Sequence, residues 1–206
     1  MHPFFKSSLT LVFTIIFISL VPGCATTTPP PAAVVEPSPF ASTDSLYSSD
    51  WLWQTDAGRP LRLSELRGKP QIIAMFFTTC TGTCGVTVSR MIQLDASLTP
   101  RQRNSVGFNL VTFDSNNDTP RSLAQYRSQR NLPADWNLLH GSPQATRELA
   151  DDLGVPFSND PVRHILHGAQ ITILDKNGRI VQRIIGVDSD LSSGLAAITA
   201  QLADAN

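Results

Sequence analysis

Cys80 and Cys84 are the residues of this chain with the clearest capacity for chemistry. They follow an apolar, β-branched and aromatic run at residues 72–77, which predicts a buried strand, and they precede a segment with helical periodicity. If Cys80 lies in the first turn of that helix, the four-residue spacing places both sulfurs on nearly the same face. The pattern predicts two thiols at a strand-to-helix junction, suited to a soft metal ion or to a reversible disulfide.

The third cysteine, Cys24, ends an N-terminal segment with the features of a lipoprotein signal peptide, which we place at residues 1–23. Lys6 supplies a positive charge, and the apolar stretch of about 13 residues is shorter than the roughly 20 that span a bilayer. Residues 21–24 resemble the lipobox of bacterial lipoproteins, which implies that Cys24 is the lipidated first residue of the mature protein. An uncleaved membrane anchor is the alternative reading.

The lipobox resemblance implies a bacterial cell-envelope location, with the domain in the periplasm or otherwise outside the cytoplasmic membrane. Ala25 leaves the choice between inner and outer membrane open. Exposed thiol pairs in this setting tend to oxidise unless a system keeps them reduced.

Composition divides the chain into a tether and one domain. Residues 24–45 are rich in Pro, Thr, Ala and Ser and predict a semi-extended tether. Residues 46–206 have the size of one ordinary domain with a sufficient core. The net charge of −1 and the absence of a basic cluster argue against nucleic-acid binding.

Strand and helix patterns alternate along the domain and predict an α/β fold with a mixed sheet. Turn residues at 56–58 predict an N-terminal β-hairpin, and Asn-Gly at 177–178 predicts a second hairpin between strands at residues 170–174 and 179–185. Helices are predicted near residues 86–98, 120–130, 143–153 and 191–203, and further strands near residues 106–113 and 136–139. The thiols come after the first central strand, and a hairpin and a terminal helix follow later in the chain. This order of elements is typical of a thioredoxin-like fold. The N-terminus of the cysteine helix is then expected to favour a thiolate.

Two further features accompany the cysteines in a fixed order. Residues 114–120 read Asp-Ser-Asn-Asn-Asp-Thr-Pro, and a histidine stands just before the second hairpin. With these features the chain resembles the Sco family, also called SenC or PrrC, of membrane-tethered copper-handling proteins with a thioredoxin-like fold. Members of that family carry a CxxxC followed by proline, a DPxxDTP segment and one histidine.

The resemblance implies that Cys80, Cys84 and His167 bind copper, as Cu(I) or Cu(II), and that the two cysteines form a redox-active pair. His167 is chosen because it stands 11 residues before Gly178, the spacing expected of the family's histidine, although His164 is close enough to be the ligand instead. Two thiolates and an imidazole form a soft, low-coordinate donor set that suits Cu(I). Asp114 and Asp118 match the family's two acidic positions and are secondary candidates.

Three positions depart from the family pattern. Gly85 replaces the proline after the second cysteine, Ser115 replaces the proline after Asp114, and Gly168 follows His167 where a hydroxyl residue is usual. None of these changes removes a candidate ligand, so they indicate a divergent member.

Other readings of the same residues stay open at this point. A structural disulfide would close too short a loop to stabilise the fold much, and structural zinc normally requires a fourth protein ligand. Asp118 also fits a helix-start position beside Thr119. His140 fits a loop or strand end better than a ligand.

The resemblance implies a copper metallochaperone, rather than an enzyme, that delivers copper to the dinuclear copper centre of a respiratory cytochrome c oxidase. Its expected partners are the copper-bearing oxidase subunit or another copper chaperone. The alternative is a thiol-disulfide oxidoreductase that reduces cysteines of an oxidase subunit or of another extracytoplasmic client. A sensor of copper or of redox state is a third class that the sequence does not separate from these.

Overall fold

The computed structural model describes residues 44–160 and 164–203, without the side chains of residues 159, 160 and 164. Its strands are β1 (Leu52–Thr55), β2 (Pro60–Arg62), β3 (Gln71–Phe76), β4 (Gly107–Thr112), β5 (Asn137–His140), β6 (Phe157–Asp160), β7 (His164–His167), β8 (Gln170–Leu174) and β9 (Ile180–Ile185). Its α-helices are α1 (Thr83–Ser97), α2 (Pro100–Asn104), α3 (Pro120–Arg130), α4 (Pro143–Leu153) and α5 (Ser192–Ala203).

A seven-stranded mixed sheet organises the domain, in the order β2-β1-β5-β4-β3-β8-β9. The three inner strands β5, β4 and β3 run parallel, and the strands outside them pair in antiparallel fashion. Every residue of β3 is buried, as expected for a strand covered on both faces. The carboxyl end of β3 leads directly into the segment that carries both cysteines.

Each face of the sheet has its own apolar core. Ile72, Ala74 and Phe76 of β3 pack with α1 on one face, where Cys84 is part of the cluster. Ile73 and Met75 point to the opposite face and pack with α4 and the N-terminal hairpin. The alternation along β3 therefore fixes which side of the sheet receives the cysteine helix.

The predicted fold class is confirmed: the domain is α/β, with a mixed sheet, flanking helices and an N-terminal β-hairpin. The helix predicted to begin near Val86 begins at Thr83 instead. Two features were not predicted, the short helix α2 and the separate two-stranded sheet of β6 and β7.

Residues 1–43 lie outside the described part of the chain, so the signal peptide, the lipidation of Cys24 and most of the tether stay predictions. Within the described ranges, none of the helices has both the length and the apolar character needed to cross a bilayer.

Candidate metal centre

Cys80, Cys84 and His167 come together although 83 positions separate Cys84 from the histidine. Their candidate ligand atoms all lie within 4.8 Å of one another. The Cys84 Sγ and His167 Nε2 atoms are 3.0 Å apart. Both cysteines are free thiols. The structure thus assembles the three residues that the family resemblance selected, and in the described part of the chain it groups no other His, Cys, Asp or Glu with them.

The two cysteines occupy different local structures. Cys80 lies in the loop between β3 and α1, where its N–H donates to the Phe77 carbonyl at 3.2 Å, and its side chain is partly exposed. Cys84 is the second residue of α1 and is buried. The condition that Cys80 lies in the first helical turn is therefore wrong. Helical periodicity therefore does not explain why the two sulfurs lie close together, and the conformation of the loop that carries Cys80 does.

His167 ends β7, directly opposite Phe157 on β6. Its ring packs at 4.6 Å from the ring of Phe113 and edge-on at 5.7 Å from that of Phe77, measured between centroids. Its Nδ1 lies 2.9 Å from the Gly168 carbonyl oxygen, a geometry in which Nδ1–H donates. This tautomer leaves the Nε2 lone pair directed at Cys84 Sγ, which is the form in which an imidazole binds a metal.

Burial dominates the electrostatics of Cys84. It raises the pKa of the thiol well above its usual range, and the neighbouring Cys80 side chain adds to the increase, while backbone hydrogen bonds oppose it. Burial and the neighbouring thiol both favour the neutral form of Cys84 in the metal-free protein. They oppose the helix N-terminus, whose expected preference for a thiolate stays a prediction.

The donor set fits a soft metal ion. For bonds of about 2.3 Å to sulfur and 2.0 Å to nitrogen, three ligands in a trigonal arrangement would stand roughly 3.7–4.0 Å apart. The observed cluster has this scale. Of the two sulfurs, that of the partly exposed Cys80 is the one that an incoming ligand could reach.

Asp118 is not among the candidate ligands, and it holds the loop before Cys80 by hydrogen bonds. Its carboxylate is 2% exposed and accepts hydrogen bonds from the Thr78 N–H at 2.9 Å, from the Thr78 hydroxyl and from the Thr112 hydroxyl at 2.5 Å. It therefore joins the end of β4 to the loop that leads to Cys80. The expected helix-start role beside Thr119 belongs to Thr119 itself, whose hydroxyl accepts from the Ser122 N–H.

Asp114 also closes its own loop. Both of its carboxylate oxygens accept from the Asn117 side chain at 2.9 Å. Ser115 hydrogen-bonds Thr146 of α4 at 2.6 Å, so this departure from the family pattern forms a contact that proline lacks. Among the described residues, Asp114 is not part of the group of candidate metal ligands.

The remaining histidines divide by location. His164 begins β7, and its side chain lies outside the described residues, so its candidacy as a ligand stays untested. His140 ends β5, as the sequence indicated.

Sequence reasoning missed several neighbours of the thiols. The rings of Phe113 and Phe77 pack against His167, and Tyr126 of α3 packs at a tilt against Phe76, with 4.9 Å between the ring centroids. Arg130 lies over the Tyr126 ring, 5.4 Å from its centroid. The aromatic residues Phe77 and Phe113 at strand ends offered the one sequence signal for these neighbours. The contacts of Tyr126 and Arg130 depend on how α3 packs in the fold, which local patterns do not indicate.

Comparison with known proteins identifies relatives of this chain by sequence and by fold. The SCO1/SenC family profile matches residues 41–203. A Stutzerimonas stutzeri protein named "Putative copper-binding protein" is 31% identical over 99 residues, 48% of each chain. The chain thus spans about half the length of that curated relative.

Two solved structures illustrate the likeness of fold. Copper-bound yeast Sco1 matches with a TM-score of 0.66 at 20% identity, over 78% of this chain and 90% of the yeast chain. BsSco, described as having a disulfide switch and as a member of the Sco family of cytochrome c oxidase assembly proteins, matches with a TM-score of 0.64 at 19% identity, over 73% of this chain and 90% of its own. At these identities the structures establish the fold alone. The family profile, which spans nearly all of the described domain, shows that this chain belongs to the SCO1/SenC family.

Proposed function

We propose that this protein binds one copper ion through Cys80, Cys84 and His167 and passes it to another protein. The observation that carries the proposal is the group of two sulfurs and one imidazole nitrogen within 4.8 Å. The His167 tautomer supports it, because the hydrogen bond to the Gly168 carbonyl leaves Nε2 free to bind a metal. Copper is the cargo of choice because soft thiolates with imidazole select Cu(I).

The recipient in this proposal is the copper-bearing subunit of a respiratory cytochrome c oxidase, at its dinuclear copper centre, or another copper chaperone. Membership of the SCO1/SenC family supports this choice. A three-ligand site with a partly exposed Cys80 supports transfer, since an incoming ligand can bind the metal before the first ligands leave. Lipidation at Cys24 would hold the domain on a bacterial membrane outside the cytoplasm, within reach of such a partner.

Copper binding is tested by titrating the reduced chain, carrying Cys24→Ser, with Cu(I) against a calibrated chelator. One copper per chain is expected, and a further Cys80→Ser/Cys84→Ser variant should bind none with comparable affinity. Binding of several copper ions, or unchanged affinity without both thiols, would contradict the proposal.

Delivery is tested separately by mixing the copper-loaded chain with the metal-free soluble domain of a copper-bearing oxidase subunit. Copper should appear in the acceptor, as measured after the two proteins are separated. Retention of copper by the chain at equal concentrations would remove delivery from the proposal and leave binding intact. The lipid anchor has its own test, since Cys24→Ser should release the protein from the membrane fraction of a bacterial host.

A second candidate function is thiol-disulfide exchange with the cysteines of a client. It is supported by the two free thiols, of which Cys80 is the more accessible and Cys84 is buried beside it. Cys80 would attack a client disulfide and Cys84 would resolve the mixed disulfide. A Cys84→Ser variant should then trap a disulfide-linked client, and the absence of any trapped client with an unreactive pair would count against this function. The two functions are compatible, because copper requires the reduced pair and oxidation would release the metal.

A further inference from the structure

Arg130 places a positive charge against the first turn of the cysteine helix. It is the last residue of α3, and its side chain is exposed. A Cβ atom built on Gly85 would lie 3.4 Å from Arg130 Nη2 and 3.8 Å from Nη1. Gly85 directly follows Cys84, so the guanidinium occupies the space that a larger side chain would take at this position.

Tyr126 packs in the same apolar cluster as both cysteines and lies beneath Arg130. Arg130 lies over its ring, which holds the guanidinium by a cation–π contact. The pKa of the Tyr126 hydroxyl is raised, chiefly by burial, and it is affected by Arg130 and by both Cys84 and Cys80. Arg130 therefore lies over a ring that packs in the same apolar cluster as the thiol pair.

Within the described residues, the loop that carries the exposed part of the thiol pair has no charge of its own to offset Arg130. Cys80 is the partly exposed thiol, and the flanking loop residues 79–83 are uncharged. The nearby Asp118 carboxylate is buried and accepts hydrogen bonds from Thr78 and Thr112, and its charge is the same in the wild type and in every Arg130 variant.

We propose that Arg130 is a specificity-determining residue that favours anionic disulfides over cationic ones at the open side of Cys80 and Cys84. The role concerns the metal-free thiol pair and does not depend on copper binding. A molecule with carboxylates near its disulfide would gain an ion pair with the guanidinium as its sulfur reaches Cys80. A cationic disulfide would be repelled at the same place.

The reaction in which this preference acts is thiol-disulfide exchange. The Cys80 sulfur, after losing its proton to solvent, bonds to one sulfur of the disulfide, whose S–S bond breaks and releases one thiolate. The Cys84 sulfur, also losing its proton, then attacks Cys80 and releases the second thiolate. Two electrons pass from the pair to the reagent, and the pair becomes a disulfide. Arg130 acts on the approach that precedes the first bond.

The test compares two reagents of opposite charge on the full chain carrying Cys24→Ser, reduced and metal-free, so that only Cys80 and Cys84 react. Dithiobis(nitrobenzoate) is a dianion and cystamine is a dication. Arg130→Gln should lower the ratio of their rates roughly two- to five-fold, the range of one exposed ion pair. Because both reagents meet the same thiol, the ratio cancels changes in thiol reactivity.

Three controls separate charge from structure. Arg130→Lys should keep most of the wild-type ratio, because it keeps the charge. Arg101→Gln removes an equal charge from α2, beyond the far end of the 15-residue helix α1, and should leave the ratio unchanged. High salt should bring wild type and Arg130→Gln together. An unchanged ratio in Arg130→Gln, or an equal fall in Arg101→Gln, overturns the proposal.

Discussion

The protonation state of Cys84 sets how the site responds to pH. Its pKa is raised by burial, so the thiol is neutral across the physiological range, and Cu(I) must displace its proton. A higher pH removes that proton at lower cost. Copper affinity is therefore expected to rise with increasing pH.

We expect the apparent Cu(I) affinity to rise by about tenfold or more per pH unit between pH 6 and pH 8, corresponding to at least one proton released per copper. Competition against a chelator calibrated at each pH measures this slope. A flat profile would mean that Cys84 is already ionised or does not bind copper.

A second residue with a specific expected role is Asp118. Its carboxylate holds the Thr78 N–H and the hydroxyls of Thr78 and Thr112 while being 2% exposed. Asp118→Asn turns one accepting oxygen into a donor that faces other donors. Urea unfolding should show a loss of about 2–3 kcal/mol in the free energy of unfolding.

The same variant should weaken Cu(I) binding roughly tenfold, because the loop that leads to Cys80 loses its support. Asp188→Asn, on an exposed aspartate, is the matched control and should change neither quantity. Full stability in Asp118→Asn would show that the network does not support the loop.

At the scale of elements, the two halves of the site are anchored differently. The cysteines follow the fully buried strand β3, and Cys84 lies in α1. His167 lies on β7, which among the described strands pairs only with β6. A two-stranded sheet is marginal by itself. It is attached here mainly by Phe157, which stacks on Phe113 at 5.0 Å, and by Ile165.

Copper should therefore slow amide hydrogen exchange in β7 by about tenfold or more, since a bound ligand adds stability to the element that supplies His167. Exchange in β8 and β9, which belong to the main sheet, should change little. Equal slowing of exchange in both regions would indicate that copper stabilises the whole domain and not β7 in particular.

These elements also show where the sequence was informative. Strands β3 and β8 and helices α3 and α4 have local signals, such as apolar runs and a hydroxyl residue before proline, and they appear within about a residue of their predicted positions. Thr99-Pro100 carries the same signal and begins α2, so that helix was within reach. The β6–β7 hairpin lacks clear alternation, and its short strands pair outside the main sheet, which local patterns do not indicate.

At the scale of the whole molecule, the site joins residues from two distant parts of the chain. Spacing and family resemblance were sufficient to select the two cysteines and His167. They could not predict that Cys80 lies outside the helix, that the Gly168 carbonyl orients the imidazole, or that Arg130 lies against Gly85. Those contacts depend on the tertiary packing of α1, α3 and the β6–β7 hairpin, and two of them involve backbone groups or glycine, which carry no side-chain signal.

The central claim is that His167 completes a copper site with the cysteines, and Cu(I) titration of His167→Ala beside wild type tests it most directly. His140→Ala is the matched control, since His140 ends β5 and is absent from the thiol cluster. Wild type and His140→Ala should bind one copper per chain with equal affinity, and His167→Ala should bind at least roughly 10- to 100-fold more weakly. Unchanged affinity in His167→Ala would contradict the account.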